Sequence, residues 1–141
     1  MSVIVLDTSV FVSALLKAET SPRQIIRLCL HGDIVPLMSN PLMSEFEAVL
    51  SRTHLYKNSV LNARERQGLM NALMSICKWV PIYYLWRPNL PDEADNHLIE
   101  LAVAGGASHI VTGNLKDFRN AQLSFPHLHI VSANDYLKER T

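Results

Sequence analysis

The stretch "VIVLDTSVFVSALL", residues 3–16, places four apolar residues directly before Asp7. A second, largely apolar run follows Thr8 and Ser9. A short, continuous apolar run is typical of a parallel β-strand that is covered on both faces. Asp7 is therefore expected at the end of a buried strand, where a carboxylate without a partner costs free energy.

Similar apolar runs recur along the chain and alternate with longer segments of helical period. The predicted strands span residues 3–6, 34–38, 80–85, 109–111 and 128–131. This alternation is typical of βα units, which build a parallel sheet covered by helices. We predict an α/β protein with a three-layer α/β/α fold around a central parallel sheet of about five strands.

Capping signals mark the predicted helices. The Ser-Pro pair at 21–22 and the Asn-Pro pair at 40–41 each combine an N-cap residue with proline at the first helical position. A third helix is predicted over residues 62–77, and a fourth begins with the Pro-Asp-Glu sequence at 91–93 and stops at the glycines 105–106. A last short helix is predicted after an Asn134 cap.

Length and composition suit one compact domain. The chain has 141 residues, of which 48% are hydrophobic, and shows neither repeats nor low-complexity segments, so residues 1–141 are predicted to form a single domain. Its apolar stretches fall well short of the ~20 residues that cross a bilayer, and the start of the chain lacks a basic signal-peptide region. Cys29 and Cys77 are isolated thiols. These features predict a cytoplasmic protein that does not contact a membrane.

The net charge does not indicate nucleic-acid binding, because thirteen Lys and Arg offset thirteen Asp and Glu. A polyanion would therefore have to bind at a local cluster of basic residues. The densest basic group consists of Arg52, Lys57, Arg64 and Arg66. This group either forms a rim that binds a phosphate backbone or is an ordinary solvated helix surface, and the sequence leaves both interpretations open.

Polar residues follow several predicted strands. Asp7 ends the first strand, Ser39 follows the second, and Thr112 and Asn114 follow the fourth. Ligands of an open parallel sheet bind outside the carboxyl ends of its strands. We therefore expect these polar groups to share one edge of the sheet.

Two further acids come from predicted helices. Glu45 lies beside the apolar row that contains Phe46 and Val49, and Asp95 precedes Leu98 at i+3, so both acids border a core-facing stripe. Considered alone, each acid could have a purely structural role, as a helix cap, as a residue at the boundary of the core or as an acid in the first turn of a helix. Together with Asp7 they indicate a shared cation, and an all-oxygen ligand set favours Mg²⁺ or Mn²⁺.

The histidines carry a weaker signal. His127 and His129 are two residues apart and would share a face of the last predicted strand. Two ligands without a nearby third make a poor metal site, so surface or packing roles are favoured.

The order Asp7, Glu45, Asp95 and "HIVTGNLKDF" at 109–118 resembles the PIN-domain nucleases. "VLDTSVFVSALL" is similar to the opening strand and helix of that family, and "SNPLMSEFEAVLSR" to its second motif. "DEADNHLIELAVAGGASHIVTGNLKDF" resembles the third and fourth motifs in one block. The resemblance spans nearly the whole chain and is greatest to the bacterial VapC-like subgroup, described as toxins of type II toxin–antitoxin modules.

This resemblance implies a Mg²⁺- or Mn²⁺-dependent endoribonuclease that hydrolyses RNA phosphodiester bonds. Carried over by position, Asp7, Glu45 and Asp95 would be catalytic residues that ligate metal directly or through water. The residues that would orient them are Thr8 or Ser9, and Thr112. The resemblance also implies RNA as substrate, a small antitoxin protein as partner, and self-association as a homodimer or higher homo-oligomer. The basic rim would then use Arg52, Arg64 and Arg66 to bind RNA.

Asn114 departs from the family pattern, because many relatives have a fourth acid there. We count Asn114 among the candidate catalytic residues, since an amide oxygen still ligates metal or holds water. It adds no negative charge, however, so the resemblance leaves one or two metal ions open. Asp117, three residues on, either compensates for the missing charge or caps the following turn.

Three alternatives compete with this interpretation. Haloacid-dehalogenase-like phosphatases also begin with an apolar strand that ends in Asp, but their D-x-D pattern meets Ser9 here. A response-regulator receiver would need paired early acids and a late lysine, which are not found. The third alternative is a degenerate PIN fold that acts as a non-catalytic RNA- or protein-binding module, with Asn114 marking decay of the site.

Overall fold

A parallel β-sheet organises the computed structural model, which describes residues 2–81, 96–118 and 125–140. The sheet has five strands in the order β3-β2-β1-β4-β5, and every neighbouring pair is parallel. The strands are β1 (Ser2–Leu6), β2 (Ile34–Met38), β3 (Lys78–Trp79), β4 (His109–Val111) and β5 (His129–Val131). The predicted central parallel sheet is confirmed.

Helices connect and cover these strands. The described residues form six α-helices and two 3₁₀ helices, Thr53–Tyr56 and Leu115–Phe118. The α-helices are α1 (Thr8–Leu16), α2 (Ser21–Leu30), α3 (Asn40–Ser51), α4 (Ala63–Ile76), α5 (Asn96–Gly105) and α6 (Ala133–Arg140). Helix α5 packs on β1, β2 and β4, whereas α2 packs on β2 and contacts α1, α4 and α6. The predicted three-layer α/β/α fold is confirmed.

The third strand differs from its prediction over 80–85. The chain pairs with β2 at Lys78 and Trp79, and the amide of Val80 still donates to the carbonyl of Met38 at 2.9 Å. Residues 82–85 lie outside the described residues. Both β3 residues are exposed, because this strand lies at the edge of the sheet and not between two neighbours. Its sequence therefore lacks the apolar run that marks the central strands.

Two helices begin one residue earlier than their Ser-Pro and Asn-Pro pairs predicted. The N-caps are Thr20 and Ser39, and Ser39 Oγ accepts a hydrogen bond from the amide of Leu42 at 3.3 Å. Ser21 and Asn40 are the first helical residues instead. Proline is compatible with the second helical position because the amides of the first turn have no intrahelical acceptor.

The start of α4 agrees with its prediction, whereas the predicted cap of α6 is wrong. Asn62 caps α4 in a capping box: its side chain accepts from the Glu65 amide at 2.8 Å, and the Glu65 carboxylate accepts from the Asn62 amide at 2.9 Å. Asn134 is not a cap, because α6 begins at Ala133 and the Ser132 hydroxyl accepts from the Asp135 amide at 3.1 Å. The predicted start of the fourth helix at 91–93 lies outside the described residues.

The core surrounds β1. Ile4 and Val5 are fully buried, and the rings of Phe11 and Phe46 stack at 4.5 Å between centroids with an interplanar angle of 7°. This aromatic pair joins α1 to α3. The helix that follows Asp7 is thereby packed against the helix that carries Glu45.

The two cysteines are free. Burial raises the pKa of the Cys29 thiol to about 12, and burial does the same to Cys77. Both side chains are therefore neutral thiols at physiological pH and act as apolar packing groups. In the part of the chain that the structure describes, no helix has the length and apolar character needed to cross a membrane.

Gly105, the last residue of α5, lies close to the side chains of Leu37 and Val80. A Cβ atom on Gly105 would clash with Cδ1 of the fully buried Leu37 and lie 3.1 Å from Val80 Cγ2. Gly105→Ala is expected to lower the free energy of unfolding by about 1–3 kcal/mol, as overpacking does. At Gly68, inside α4, an added Cβ would meet no atom within 4 Å apart from its chain neighbours and the nearby backbone of its own helix.

Gly68→Ala is therefore the matched control, and we expect it to raise the free energy of unfolding by about 0.5–1 kcal/mol through helix propensity. Urea denaturation followed by circular dichroism measures both changes. Stabilisation by Gly105→Ala would contradict the close approach of α5 to β2.

Candidate active site at the carboxyl edge of the sheet

Strand pairing places two candidate residues side by side at the carboxyl edge of the sheet. Strands β1 and β4 are in register with Leu6 opposite Val111, and the Asp7 amide donates to the Val111 carbonyl at 2.9 Å. The next residue along β4 is Thr112. The parallel register therefore brings Asp7 and Thr112 together, although they are 105 positions apart in the sequence.

The Asp7 carboxylate is buried, with 6% of the residue exposed. Thr112 Oγ1 donates to Asp7 Oδ2 at 2.6 Å, and Ser9 Oγ donates to the same oxygen at 3.3 Å. Among the described residues, both hydrogen bonds to this carboxylate thus reach Oδ2 and leave Oδ1 available to a ligand. Asp7 is the N-cap residue of α1, but its side chain makes no capping hydrogen bond. Helix capping by the side chain therefore does not account for a buried acid at this position.

The loop after β4 is held by the same two hydroxyl groups. Thr112 Oγ1 accepts from the Asn114 amide at 3.0 Å, and Ser9 Oγ accepts from the Gly113 amide at 3.0 Å. Each hydroxyl thus donates to Asp7 and accepts from the loop. This arrangement fixes the direction of both donors, and with it the orientation of the carboxylate.

Glu45 reaches the same edge from α3. Its side chain is about one-third exposed, with 35% of its surface accessible. Thr8 Oγ1 donates to Glu45 Oε1 at 3.3 Å, and His97 Nε2 lies 2.9 Å from Oε2. Because Thr8 follows Asp7 directly, this hydrogen bond links the two acids through one residue of the backbone.

His97 is a site residue that the sequence patterns did not identify. It lies in the first turn of α5, and its side chain is 14% exposed. Its Nδ1 atom is buried without a hydrogen-bond partner in the described part of the chain, so the Nε2–H tautomer leaves no donor unpaired. The one available signal was its position two residues after Asp95, in the block that resembles the third motif.

Asp95 itself lies outside the described residues, so its role stays a prediction. The contact between His97 and Glu45 places the start of α5 at the carboxyl edge. Asp95 directly precedes this helix, which begins at Asn96. The described start of α5 is therefore at the edge of the sheet where a third acid was expected.

Asn114 and Asp117 lie at the rim of this edge. Asn114 is exposed and Asp117 is half-buried in the 3₁₀ helix Leu115–Phe118. The Asp117 amide donates to the Asn114 carbonyl at 3.1 Å, which closes the turn. Within the described ranges, neither side chain forms a hydrogen bond with the Asp7 carboxylate. Their catalytic and supporting roles stay predictions.

The basic group divides into packed and exposed members. The guanidinium of Arg66 lies 4.5 Å from the centroid of the Tyr56 ring, and its Nη1 donates to the Leu61 carbonyl at 2.7 Å. Arg66 is buried and joins α4 to the preceding 3₁₀ helix. Arg52 and Arg64 are exposed, as either a phosphate-binding rim or a solvated surface requires. RNA binding by the three arginines stays a prediction.

The donor set of this edge suits a hard divalent cation. Carboxylate oxygens of Asp7 and Glu45 come from separate elements, and each carboxylate retains lone pairs beyond those used by its hydroxyl partners. Such oxygens favour Mg²⁺ or Mn²⁺ over metals that prefer nitrogen or sulfur. The described residues therefore fit a divalent metal ion.

Comparison with known proteins identifies a matching family model and a solved structure with a similar fold. A family model described as a PIN domain matches residues 3–116. No curated protein matches the chain in sequence. Among solved structures, a chain of VapBC2 from Rickettsia felis, crystallised bound to a DNA fragment from its promoter, is similar with a TM-score of 0.56. The identity is 16%, and the match covers 91% of this chain and 96% of that one, which shows a shared fold.

The family match runs from β1 into the 3₁₀ helix after β4, and so includes Asp7, Glu45, Thr112 and Asn114. It also covers far more than half of the chain. This chain therefore belongs to the PIN domain family.

Proposed function

We propose that this protein is a metal-dependent endoribonuclease that hydrolyses RNA phosphodiester bonds. PIN domains are generally nucleases. The observation that carries the proposal is the buried Asp7 carboxylate, which two hydroxyl donors orient while leaving one oxygen available. A carboxylate held in this way at the ligand-binding edge of a parallel sheet is suited to ligation.

Asp7, Glu45 and Asp95 would hold the metal. When bound, a divalent ion activates water for attack on the phosphodiester and neutralises charge on the phosphate and the leaving oxygen. Thr112 and Ser9 would keep the Asp7 carboxylate in one orientation, because each hydroxyl is itself held by an amide of the loop after β4.

Thr8 and His97 would orient Glu45 in the same way, each through one carboxylate oxygen. No side-chain nucleophile is required for this chemistry. Exposed cations would bind the substrate, and Arg52, Lys57 and Arg64 are the accessible members of the basic group.

We further propose that the protein is the toxin of a toxin–antitoxin module in the cytoplasm, with a small antitoxin protein as its partner and self-association into a homodimer or higher oligomer. The support is the shared fold with a chain of the VapBC2 complex. The two free cysteines are consistent with a reducing compartment.

A non-catalytic binding module is the second candidate. The observation that favours it is the neutral, exposed Asn114 in place of a fourth acid. Metal-dependent cleavage of RNA by the purified protein separates the two candidates, since a binding module retains RNA without cutting it.

Asp7→Asn is the central test of the nuclease proposal. Cleavage of fluorescent single-stranded RNA in Mn²⁺ is expected to fall to background, because the amide removes a charged ligand. The apo protein is expected to gain about 1 kcal/mol of stability, since a buried carboxylate is replaced by a neutral acceptor that Thr112 still reaches. Calorimetry and thermal unfolding measure metal affinity and stability. Loss of activity with unchanged metal affinity and unchanged apo stability would contradict this role.

Thr112→Val tests the orienting hydroxyl. Valine keeps the shape but leaves Asp7 Oδ2 and the Asn114 amide without this partner. We expect the cleavage rate at saturating metal to fall about 10–100-fold, as removal of an outer-shell partner does. Thr112→Ser, which keeps the hydroxyl, is the matched control and should retain most activity. Equal rates for the valine and serine variants would exclude an orienting role.

Asn114→Asp tests the number of metal ions. Asp7, Glu45 and Asp95 supply three negative charges, so two dications leave an excess positive charge before substrate arrives. We therefore expect one tight Mn²⁺ site in the RNA-free, unmodified protein. In Asn114→Asp the affinity for a second Mn²⁺ ion should rise. The Mg²⁺ concentration for half-maximal cleavage should fall in this variant. Two equally tight sites in the unmodified protein would refute the expectation.

A further inference from the structure

A second group of metal-ligating side chains lies away from the carboxyl edge. His109 begins β4, His129 begins β5, and Glu139 lies in the last turn of α6. One potential ligand atom from each residue lies within 4.8 Å of the corresponding atoms of the other two. Three separate elements thus place two imidazoles and one carboxylate together.

The register of the sheet creates the histidine pair. His109 and His129 are partners in the parallel β4–β5 ladder, so their side chains leave the same face. Their rings stack with centroids 5.2 Å apart and an interplanar angle of 29°. Tyr136 packs edge-on against His109 at 5.0 Å, and Glu139 lies three residues later on the same side of α6. Helix packing therefore supplies the third ligand.

Hydrogen bonding leaves His109 Nε2 directed at the carboxylate. Ser108 Oγ lies 2.7 Å from His109 Nδ1 and 3.3 Å from the Val3 carbonyl, so its hydroxyl either donates to the ring nitrogen or donates to the carbonyl and accepts from Nδ1–H. The other ring nitrogen, Nε2, lies 3.1 Å from Glu139 Oε1. With its proton on Nε2 the neutral ring donates to the carboxylate, and with its proton on Nδ1 the Nε2 lone pair faces the carboxylate. A metal ion that selects the second tautomer would bind His109 Nε2 and Glu139 together.

We propose that His109, His129 and Glu139 form a binding site for a first-row transition-metal dication, with Zn²⁺ as the ion of choice. Two imidazole nitrogens and one carboxylate favour Zn²⁺ over Mg²⁺, which prefers oxygen. Tetrahedral zinc requires ligand atoms ~3.3 Å apart, given metal–ligand distances of about 2.0–2.2 Å. The exposed side chains of His129 and Glu139 can make this short approach by rotation, while His109 stays fixed by Ser108 and Tyr136.

This site is distinct from the acid edge. His109 precedes Thr112 by three residues, which is ~10 Å along the strand, and belongs to the amino end of β4. Zinc there would tie the C-terminal part of α6 to the edge of the sheet formed by β4 and β5. Three protein ligands leave a fourth position open to water or another donor. The inference does not depend on nuclease activity.

The test measures Zn²⁺ affinity of the full chain by competition with a chromophoric chelator. We expect His129→Ala and Glu139→Gln each to weaken Zn²⁺ binding by at least about tenfold, because each removes a ligand; even an outer-shell change costs about that much. His127→Ala is the matched control, since His127 is an exposed histidine outside the cluster. The Zn²⁺ affinity of this variant should stay within about twofold of that of the unmodified protein. Thermal unfolding of each metal-free variant establishes that it is folded.

Two further measurements locate the metal. Co²⁺ bound to the unmodified chain should show the visible absorption of a low-coordinate nitrogen site, and His129→Ala should abolish it. Asp7→Asn should leave Zn²⁺ affinity unchanged. Absence of Zn²⁺ binding would mean that only a hydrogen bond joins His109 to Glu139 and would overturn the proposal. Loss of binding in Asp7→Asn but not in His129→Ala would also overturn it, because the zinc would then belong to the acid edge.

Discussion

The hydrogen bond from Thr112 to the buried Asp7 carboxylate is the constraint on which the carboxyl edge of the sheet depends. A carboxylate at 6% exposure needs donors, and the parallel pairing of β1 with β4 supplies one at 2.6 Å. The same hydroxyl accepts from the Asn114 amide, so the loop after β4 is positioned by the group that orients the acid. Strand register, loop conformation and candidate ligand are thus one connected unit.

Packing extends this unit to the second acid. The stacked rings of Phe11 and Phe46 hold α1 against α3, and Thr8 then reaches Glu45 across the short gap between these helices. His97 completes the arrangement from α5, which packs on the central strands. Candidate ligands on rigid helices and strands need little rearrangement to bind an ion, and this preorganisation favours ligation.

The two ends of the sheet carry different donor chemistry. Oxygen donors gather at the carboxyl ends of the strands, where the oriented carboxylates suit the hard divalent metal ion that we propose. Nitrogen donors from His109 and His129 lie at the amino ends of β4 and β5, where zinc is the better ion. The two proposed metal sites therefore differ in their donor atoms, with carboxylate oxygens at one end of the sheet and two imidazole nitrogens and one carboxylate at the other.

Local sequence signals predicted the parallel α/β fold, the bounds of β2 and β4, the extent of α4 to within one residue at each end, and the family, because hydrophobic period, capping and motif order can be identified without the tertiary structure. The edge position of β3, the packing of Arg66, the His97–Glu45 contact and the pairing of His109 with His129 and Glu139 were decided by tertiary structure. Each depends on which surfaces meet when strands pair and helices pack. These contacts join residues far apart in the chain, and no local pattern specifies the register that brings them within hydrogen-bond distance.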